Sequence, residues 1–289
     1  MKGIVWLFVL VLLTMPAHAQ DADRAMRTDS AYLLGVGGVR TDFSVEFLHR
    51  ARYSLSGLEG DLLRFGVIDI RIGAGEYAEF QLSGVARDFL SVTKRSKAVI
   101  PTIFQGDSTS DYGDLILGAK LKLVGEKGYR PALAFKFAVQ LPNASNERGL
   151  GADENEFYSS ILATKHVGRA QIQGNVGLAI LGSAVQANTQ TDMITYGLGV
   201  IVPLNNRIRL VGEVYGRQGP QRIGNENLAR LRAGAQIRAA GLTWSLTGLA
   251  GLREFDPGSG ICMGVVYEFQ AFHKNRGPVT VKPKKQGDK

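Results

Sequence analysis

Arg230 and Arg232 stand two residues apart, with Arg238 further along the same run. In an extended chain, residues two apart point the same way about 7 Å apart. The two guanidiniums therefore make one positive patch. Such a patch can clamp a carboxylate or a phosphate through paired N–H donors. It can equally form ion pairs with Glu213 or Glu268 from neighbouring strands, and both readings stay open on residue types alone. The same alternation gathers Arg71, Lys120, Lys122, Lys136, Arg209 and Glu213 with these arginines on one polar face. Glu46, Arg50, Arg52, Asp69, Glu79, Arg87, Arg217 and Glu268 belong to the same set, in which basic groups outnumber acids.

Other chemistries have little footing. Cys262 is the only cysteine, so no internal disulfide and no cysteine metal site is encoded. Past the first residues, His49, His166 and His273 are scattered without metal-ligand spacing. A hydrolase would need a serine and an acid within reach of His49 or His166, and no local motif supplies them. The segment Gln105 to Asp111 carries carboxylates and hydroxyls, yet it lacks the last glutamate of a calcium-binding loop. Gly35-Val36-Gly37-Gly38 does not have dinucleotide-binding spacing. No catalytic residue, metal, cofactor or nucleic-acid partner is expected.

The elements that must position the charged face are strands. From Asp114 to Val124, Leu115, Leu117, Ala119, Leu121 and Leu123 share one side, while Gly118, Lys120 and Lys122 share the other. Leu133, Phe135, Phe137, Val139 and Leu141 repeat the pattern after a turn at Glu126-Lys127-Gly128. A helical reading would smear these charges around the cylinder. About twelve such segments are expected, near 42–54, 63–72, 77–88, 113–125, 130–141, 155–166, 169–181, 191–203, 207–217, 226–238, 241–252 and 259–272. A further hairpin at Ala98–Phe104 would make the number about fourteen. Short connections, as at Gly73–Glu76, Val167-Gly168 and Asn205-Asn206, alternate with long ones at 89–112, 142–154, 182–190 and 218–225. That parity, with strands of about 9–11 residues, belongs to an antiparallel up-and-down transmembrane β-barrel.

The chain ends agree with export. Lys2, the apolar run Ile4–Leu13 and Ala17-His18-Ala19 form a cleavable secretory leader over 1–19. At roughly ten residues the apolar run is too short for a membrane-spanning helix, which takes about 20. Residues 20–40 read as an N-terminal periplasmic lead-in lying partly inside the lumen, 41–272 as the barrel, and 273–289 as a disordered basic periplasmic tail. The net charge of +8 is basic throughout.

Two resemblances sharpen the reading. Gly264, Tyr267 and Phe269 in the last strand resemble the C-terminal signal that the barrel-assembly machinery recognises for insertion. Tyr112-Gly113-Asp114-Leu115-Ile116-Leu117-Gly118-Ala119-Lys120 resembles the GDLxLGAK strand of the family labelled "putative MetA-pathway of phenol degradation". Arg130-Pro131-Ala132-Leu133, Gln140-Leu141-Pro142, Gly149-Leu150-Gly151 and Gly174-Asn175-Val176-Gly177 are similar to its later segments, so the resemblance spans roughly 60–272. It implies a transporter-like outer-membrane barrel tied to small hydrophobic or aromatic compounds.

The expectation is therefore a Gram-negative outer-membrane barrel, surrounded by outer-membrane lipid, for passage or binding of a small molecule. The basic face, turned inward, favours anions; the resemblance favours apolar compounds. Gating is assigned to the loops 89–112 and 142–154. A closed barrel plugged by its own inward salt bridges and a lipid-acting enzyme are the alternatives.

Overall fold

The computed structural model describes residues 26–103 and 106–272; the leader 1–19 and the tail 273–289 lie outside the described residues. Thirteen strands form one antiparallel sheet: β1 (Gly38–Tyr53), β2 (Leu58–Gly73), β3 (Ala78–Arg95), β4 (Ser108–Asp111), β5 (Leu115–Val124), β6 (Ala132–Leu141), β7 (Glu156–Val167), β8 (Ala170–Gly182), β9 (Gln190–Pro203), β10 (Ile208–Gln218), β11 (Leu228–Ala239), β12 (Leu242–Gly251) and β13 (Ser259–Gln270). Each strand pairs with the next in sequence, apart from the short β4, which docks on β3 beside β5. Pairing of β1 with β13, from Gly38↔Gln270 to His49↔Ser259, closes the sheet. The result is a twelve-stranded barrel with one extra short strand. Closure matters because lipid offers no water to satisfy an open edge.

Polarity is inverted relative to a water-soluble protein. Phe43, Phe47, Phe80, Leu117, Leu198, Leu231, Trp244, Leu246 and Met263 are exposed on the outside, whereas Arg40, Glu46, Asp69, Arg71, Glu79, Lys120, Glu213 and Arg232 are buried inside. An arginine or lysine on the lipid face at mid-membrane would cost about 2–4 kcal/mol. The strict period of two avoids that cost and makes this a transmembrane barrel.

Three strands outrun their expected limits. β1 and β2 have 16 residues each and β3 has 18, so the loop expected to start at residue 89 starts at Ser96. Residues 98–103 form no strand; the extra element is β4 instead, and the fourteen-strand alternative falls. Alternation fails as a guide here because the ladder slips. Register shifts fall at Ser44/Glu46 and Leu48/Ala51 in β1, beside Gly66 (φ 66) and Arg50 (φ 55). Each slip moves later side chains to the opposite face. Leu48, Ala51, Leu58, Leu62, Leu90 and Leu249 consequently pack together inside the barrel near its long-loop end.

Candidate functional site

The chain does not enter β1 directly. Gly38 N–H donates to Gly35 O at 2.8 Å and Gly37 (φ 76) donates to Gly73 O at 2.8 Å, a reversal that glycine permits and other residues resist. Before this turn, residues 26–36 run through the lumen toward the short-turn end. Leu34 N–H donates to Glu79 Oε2 at 2.8 Å, Ala31 N–H to Thr164 Oγ1 at 2.8 Å, and Gln173 Nε2 to Thr28 O at 2.7 Å. Glu213 accepts the N–H of Arg27 at 2.6 and 2.8 Å and that of Thr28 at 2.7 Å. A segment without ladder partners must satisfy its backbone elsewhere, and here wall side chains do so. Glycines on β9 make room: a β-carbon at Gly199 would overlap Met26 Cε, and one at Gly197 would press on Thr28 Oγ1.

The segment brings one carboxylate into the middle of the basic face. Asp29 accepts from Arg71 Nη1 (2.9 Å), Lys136 Nζ (2.8 Å) and Gln81 Nε2 (3.3 Å), with Lys120 Nζ at 3.5 Å. Arg71 also meets Asp69 at 2.9 Å and Lys120 meets Glu79 at 3.2 Å. Arg71, Lys120 and Lys136 are thus brought together, along with Glu79 and Asp69.

At the short-turn end a second anchor holds Tyr32. Its hydroxyl donates to Glu126, and its ring stacks on His166 with centroids 5.7 Å apart. Lys165 Nζ lies 2.7 Å and His166 Nδ1 2.9 Å from the same carboxylate. The hydrogen bond from Lys165, with those from Tyr32 and His166, holds the Glu126 carboxyl well below the usual carboxylate range.

The remaining predicted residues divide. Arg232 is buried against Glu46 at 3.1 Å with its guanidinium 6.0 Å from the Tyr215 ring, whereas Arg230 pairs with Asp256 at 2.7 Å. Arg232 also stands directly opposite Glu213 in the β10–β11 register, and each of the two arginines is ion-paired with a different carboxylate. Glu268 instead lies 3.4 Å from Arg40. Lys122, exposed, lines the cavity at the short-turn end, and Arg209 and Arg238 sit half-buried near the same end without joining the Asp29 cluster. Two of the wider inward set are corrected. Arg87 pairs in register with outward Phe65 and sits 4.9 Å over the Tyr112 ring; Arg50 is exposed and pairs with Glu59 at 3.3 Å. The slip at Leu48/Ala51 turned Arg50 away from the lumen, and Arg87 follows its partner Phe65 to the outer face beside Gly66. Gly264, Tyr267 and Phe269 lie on β13 as expected, the two rings stacked at 5.4 Å.

Sequence reasoning missed Asp29, Gln81, Glu126, Thr164 and Asp256. Asp29 precedes any periodic segment, and nothing local marks it. Asp111, in the loop considered for a cation, accepts the N–H and hydroxyl of Ser145, each at 2.8 Å. Among the described residues no group of His, Cys, Asp or Glu is arranged to hold a metal.

The wall has one thin place. β3 pairs with β5 only from Ala78 to Ser83 and with β4 only from Asp88 to Ser91, with a hydrogen bond from Gly113 N–H to Val85 O at 3.0 Å between. Inside it lies a cavity of about 290 Å³ bordered by Leu48, Leu62, Arg64 and Arg230. Outside it lies an apolar groove of about 600 Å³ bordered by Ile70, Leu82, Ala86 and Leu115. Both touch Ile68, Ser83, Gly84, Val85 and Gly113.

The sequence model of the family described as "Putative MetA-pathway of phenol degradation" matches residues 22–251, which include the lumen segment. The chain belongs to this family. Among solved structures, the phenol-degradation-family chain is similar to the COG4313 outer membrane channel from Pseudomonas putida F1, at 14% identity and a TM-score of 0.59 over 87% of this chain and 100% of that one. It is also similar to the translocator domain of the autotransporter NalP from Neisseria meningitidis, at 14% identity and a TM-score of 0.47 over 82% and 90% of the two chains. The KdgM porin in complex with disordered oligogalacturonate gives 8% identity and 0.46 over 80% and 99%. At 14% identity the likeness to the COG4313 channel concerns the fold alone. No curated protein matches the sequence significantly.

Proposed function

We propose that this chain is an outer-membrane passage for small molecules with a large apolar part, which leave the lumen sideways rather than along the barrel axis. The leader and the C-terminal Gly264, Tyr267 and Phe269 support export and insertion by the barrel-assembly machinery. The short turns then face the periplasm and the long loops the exterior. The observation that carries the reading is the thin wall at Gly84. Segment 26–36 lies in the axial route, while the inner cavity and the outer groove meet across the same wall residues. The buried leucines around Leu48 and Leu62 give the inner cavity an apolar side, which suits the aromatic compounds that the family description suggests. Apolar solutes gain about 25 cal/mol per Å² on leaving water, so an apolar path into lipid runs downhill.

The test is uptake of the fluorescent apolar probe N-phenyl-1-naphthylamine by cells expressing the protein. Gly84→Trp, at equal abundance in the membrane, should slow uptake several-fold toward that of cells without the protein. Equal rates for the two forms would sink the lateral route.

A second reading, a lipid-acting hydrolase, draws on His49. Its Nδ1 lies 2.7 Å from Asp61 Oδ1, and Ser259 is its direct partner in the β1–β13 register. Opposed residues in such a pair have β-carbons about 4.5–5.5 Å apart. No hydrogen bond joins Ser259 to His49 among the described residues, which ranks this reading second. Phospholipid hydrolysis by the refolded protein, abolished by Ser259→Ala, would promote it.

A further inference from the structure

Asp29 is the carboxylate on which three basic groups of the wall converge. Arg71 on β2, Lys120 on β5 and Lys136 on β6 surround it beside the wall carboxylates Asp69 and Glu79, and buried Asp42 stands opposite Asp69 in the β1–β2 register. Arg71 bonds to Asp69, and Lys120 to Glu79. Asp29 is the only carboxylate ion-paired with Lys136 among the described residues. The carboxylate that serves Lys136 comes from a segment outside the sheet ladder.

The geometry is that of a ligand site. Both oxygens of one carboxylate are used: Arg71 donates to Oδ1, with Lys120 beside it, and Lys136 and Gln81 donate to Oδ2. These donors come from four neighbouring strands and converge on one point. Charge-assisted bonds of this kind are the strong ones, and Lys120 and Asp29 are both buried. The cluster is also reachable. A cavity of about 540 Å³ touches Arg71 and Lys120 from the short-turn end, and a second of about 280 Å³ touches Arg71, Lys136 and Asp29 from the other side. Lys136 keeps a side-chain exposure of 27%.

We infer that Arg71, Gln81, Lys120 and Lys136 form a carboxylate-binding site in the lumen, and that Asp29 is its tethered occupant, for which the carboxylate of a solute exchanges. The solute class is an aromatic or aliphatic acid: an apolar body with one carboxylate. This rests on the reading of the barrel as a small-molecule passage for its biological sense, although the site itself is tested without transport. A tethered group competes at a local concentration in the millimolar range or above. Wild-type protein should therefore bind free carboxylates weakly, and removal of the tethered one should expose the site.

The experiment is titration of the refolded full mature protein with 4-fluorobenzoate, read by ¹⁹F NMR, with 4-fluorobenzamide as the uncharged partner. Asp29→Ala should tighten benzoate binding at least tenfold and leave the amide unchanged. Adding Lys136→Met to Asp29→Ala should remove the gain. Folding of each variant is read from heat-modifiable migration on gels. Should Asp29→Ala fail to fold, Asp29→Asn keeps the side-chain shape while removing the charge, and it should show a gain of the same sign. An unchanged benzoate affinity in a folded Asp29 variant overturns the proposal. So does a gain shared equally by the amide, which would mean that only space had been freed, and so does a gain that survives Lys136→Met. Benzoate binding without probe uptake would leave the site standing and remove the passage; uptake without benzoate binding would do the reverse.

Discussion

Asp29 and Lys136, 107 positions apart in the chain, meet at 2.8 Å inside the barrel. The contact joins a segment with no ladder of its own to the sixth strand of the wall, at the level of the basic face. How firmly the segment is held then depends on a few named anchors.

Glu213 is the strongest of these for the backbone, since its carboxylate takes the N–H groups of Arg27 and Thr28. Hydrogen bonds to a charged group contribute about 1.5–3 kcal/mol each. Glu213→Gln keeps one acceptor and loses the charge. Amide exchange at Thr28 should accelerate by roughly 10- to 100-fold, at about 1.4 kcal/mol per factor of ten. Exchange at the wild-type rate would mean that the segment is held elsewhere.

Gly199 tests the fit of the segment rather than its bonding. Leu in its place would occupy the volume of Met26 Cε and push the start of the segment off β9. Trypsin should then cut after Arg27 in Gly199→Leu protein, while the wild type, with Arg27 bonded to Glu213, stays protected. The same variant should show a larger single-channel conductance in planar bilayers.

Glu126 makes the lower anchor sensitive to acid. Its folded-state pKa is lowered, so its contribution is fully present above the unfolded glutamate value of about 4.3. It is lost as pH falls below that value through the lowered folded one. Protection factors around Tyr32, referred to the intrinsic rate at each pH, should stay flat from pH 7 to 5 and fall below pH 4. In Glu126→Gln, protection should be lowered at every pH and the acid dependence should flatten. An unchanged acid limb in that variant would assign it to another group.

Arg232 and Glu46 are a buried pair inside the wall. Breaking such a pair by removing one partner costs about 3–5 kcal/mol, while replacing both costs less. Arg232→Met should lower the urea midpoint of the folded, heat-modifiable form. The double variant with Glu46→Gln should recover part of the loss, with Arg64 left to its other partner, Asp88. Additive losses would show that the two side chains act independently.

The architecture was legible because lipid enforces a local rule. From Leu115 to Leu141 and again from Leu228 to Leu249, alternate residues must be apolar, and that requirement acts on each strand separately. The rule failed from Leu48 to Arg64, where bulges shift the register without leaving a mark in composition, and at Arg87, which follows Phe65 to the outer face with the β2–β3 register unbroken there. The membership of the basic face was legible for Arg71, Lys120 and Lys136 for the same reason.

What those residues bind was not legible. The sequence by itself determined a closed barrel with charges inside, since the cost of a charge in hydrocarbon is paid residue by residue. Only the tertiary structure decided that Asp29 meets Arg71, Lys120 and Lys136, that Arg230 and Arg232 serve different acids, and that the wall thins at Gly84. Those outcomes depend on which distant strands the closure brings face to face, and no local period encodes that.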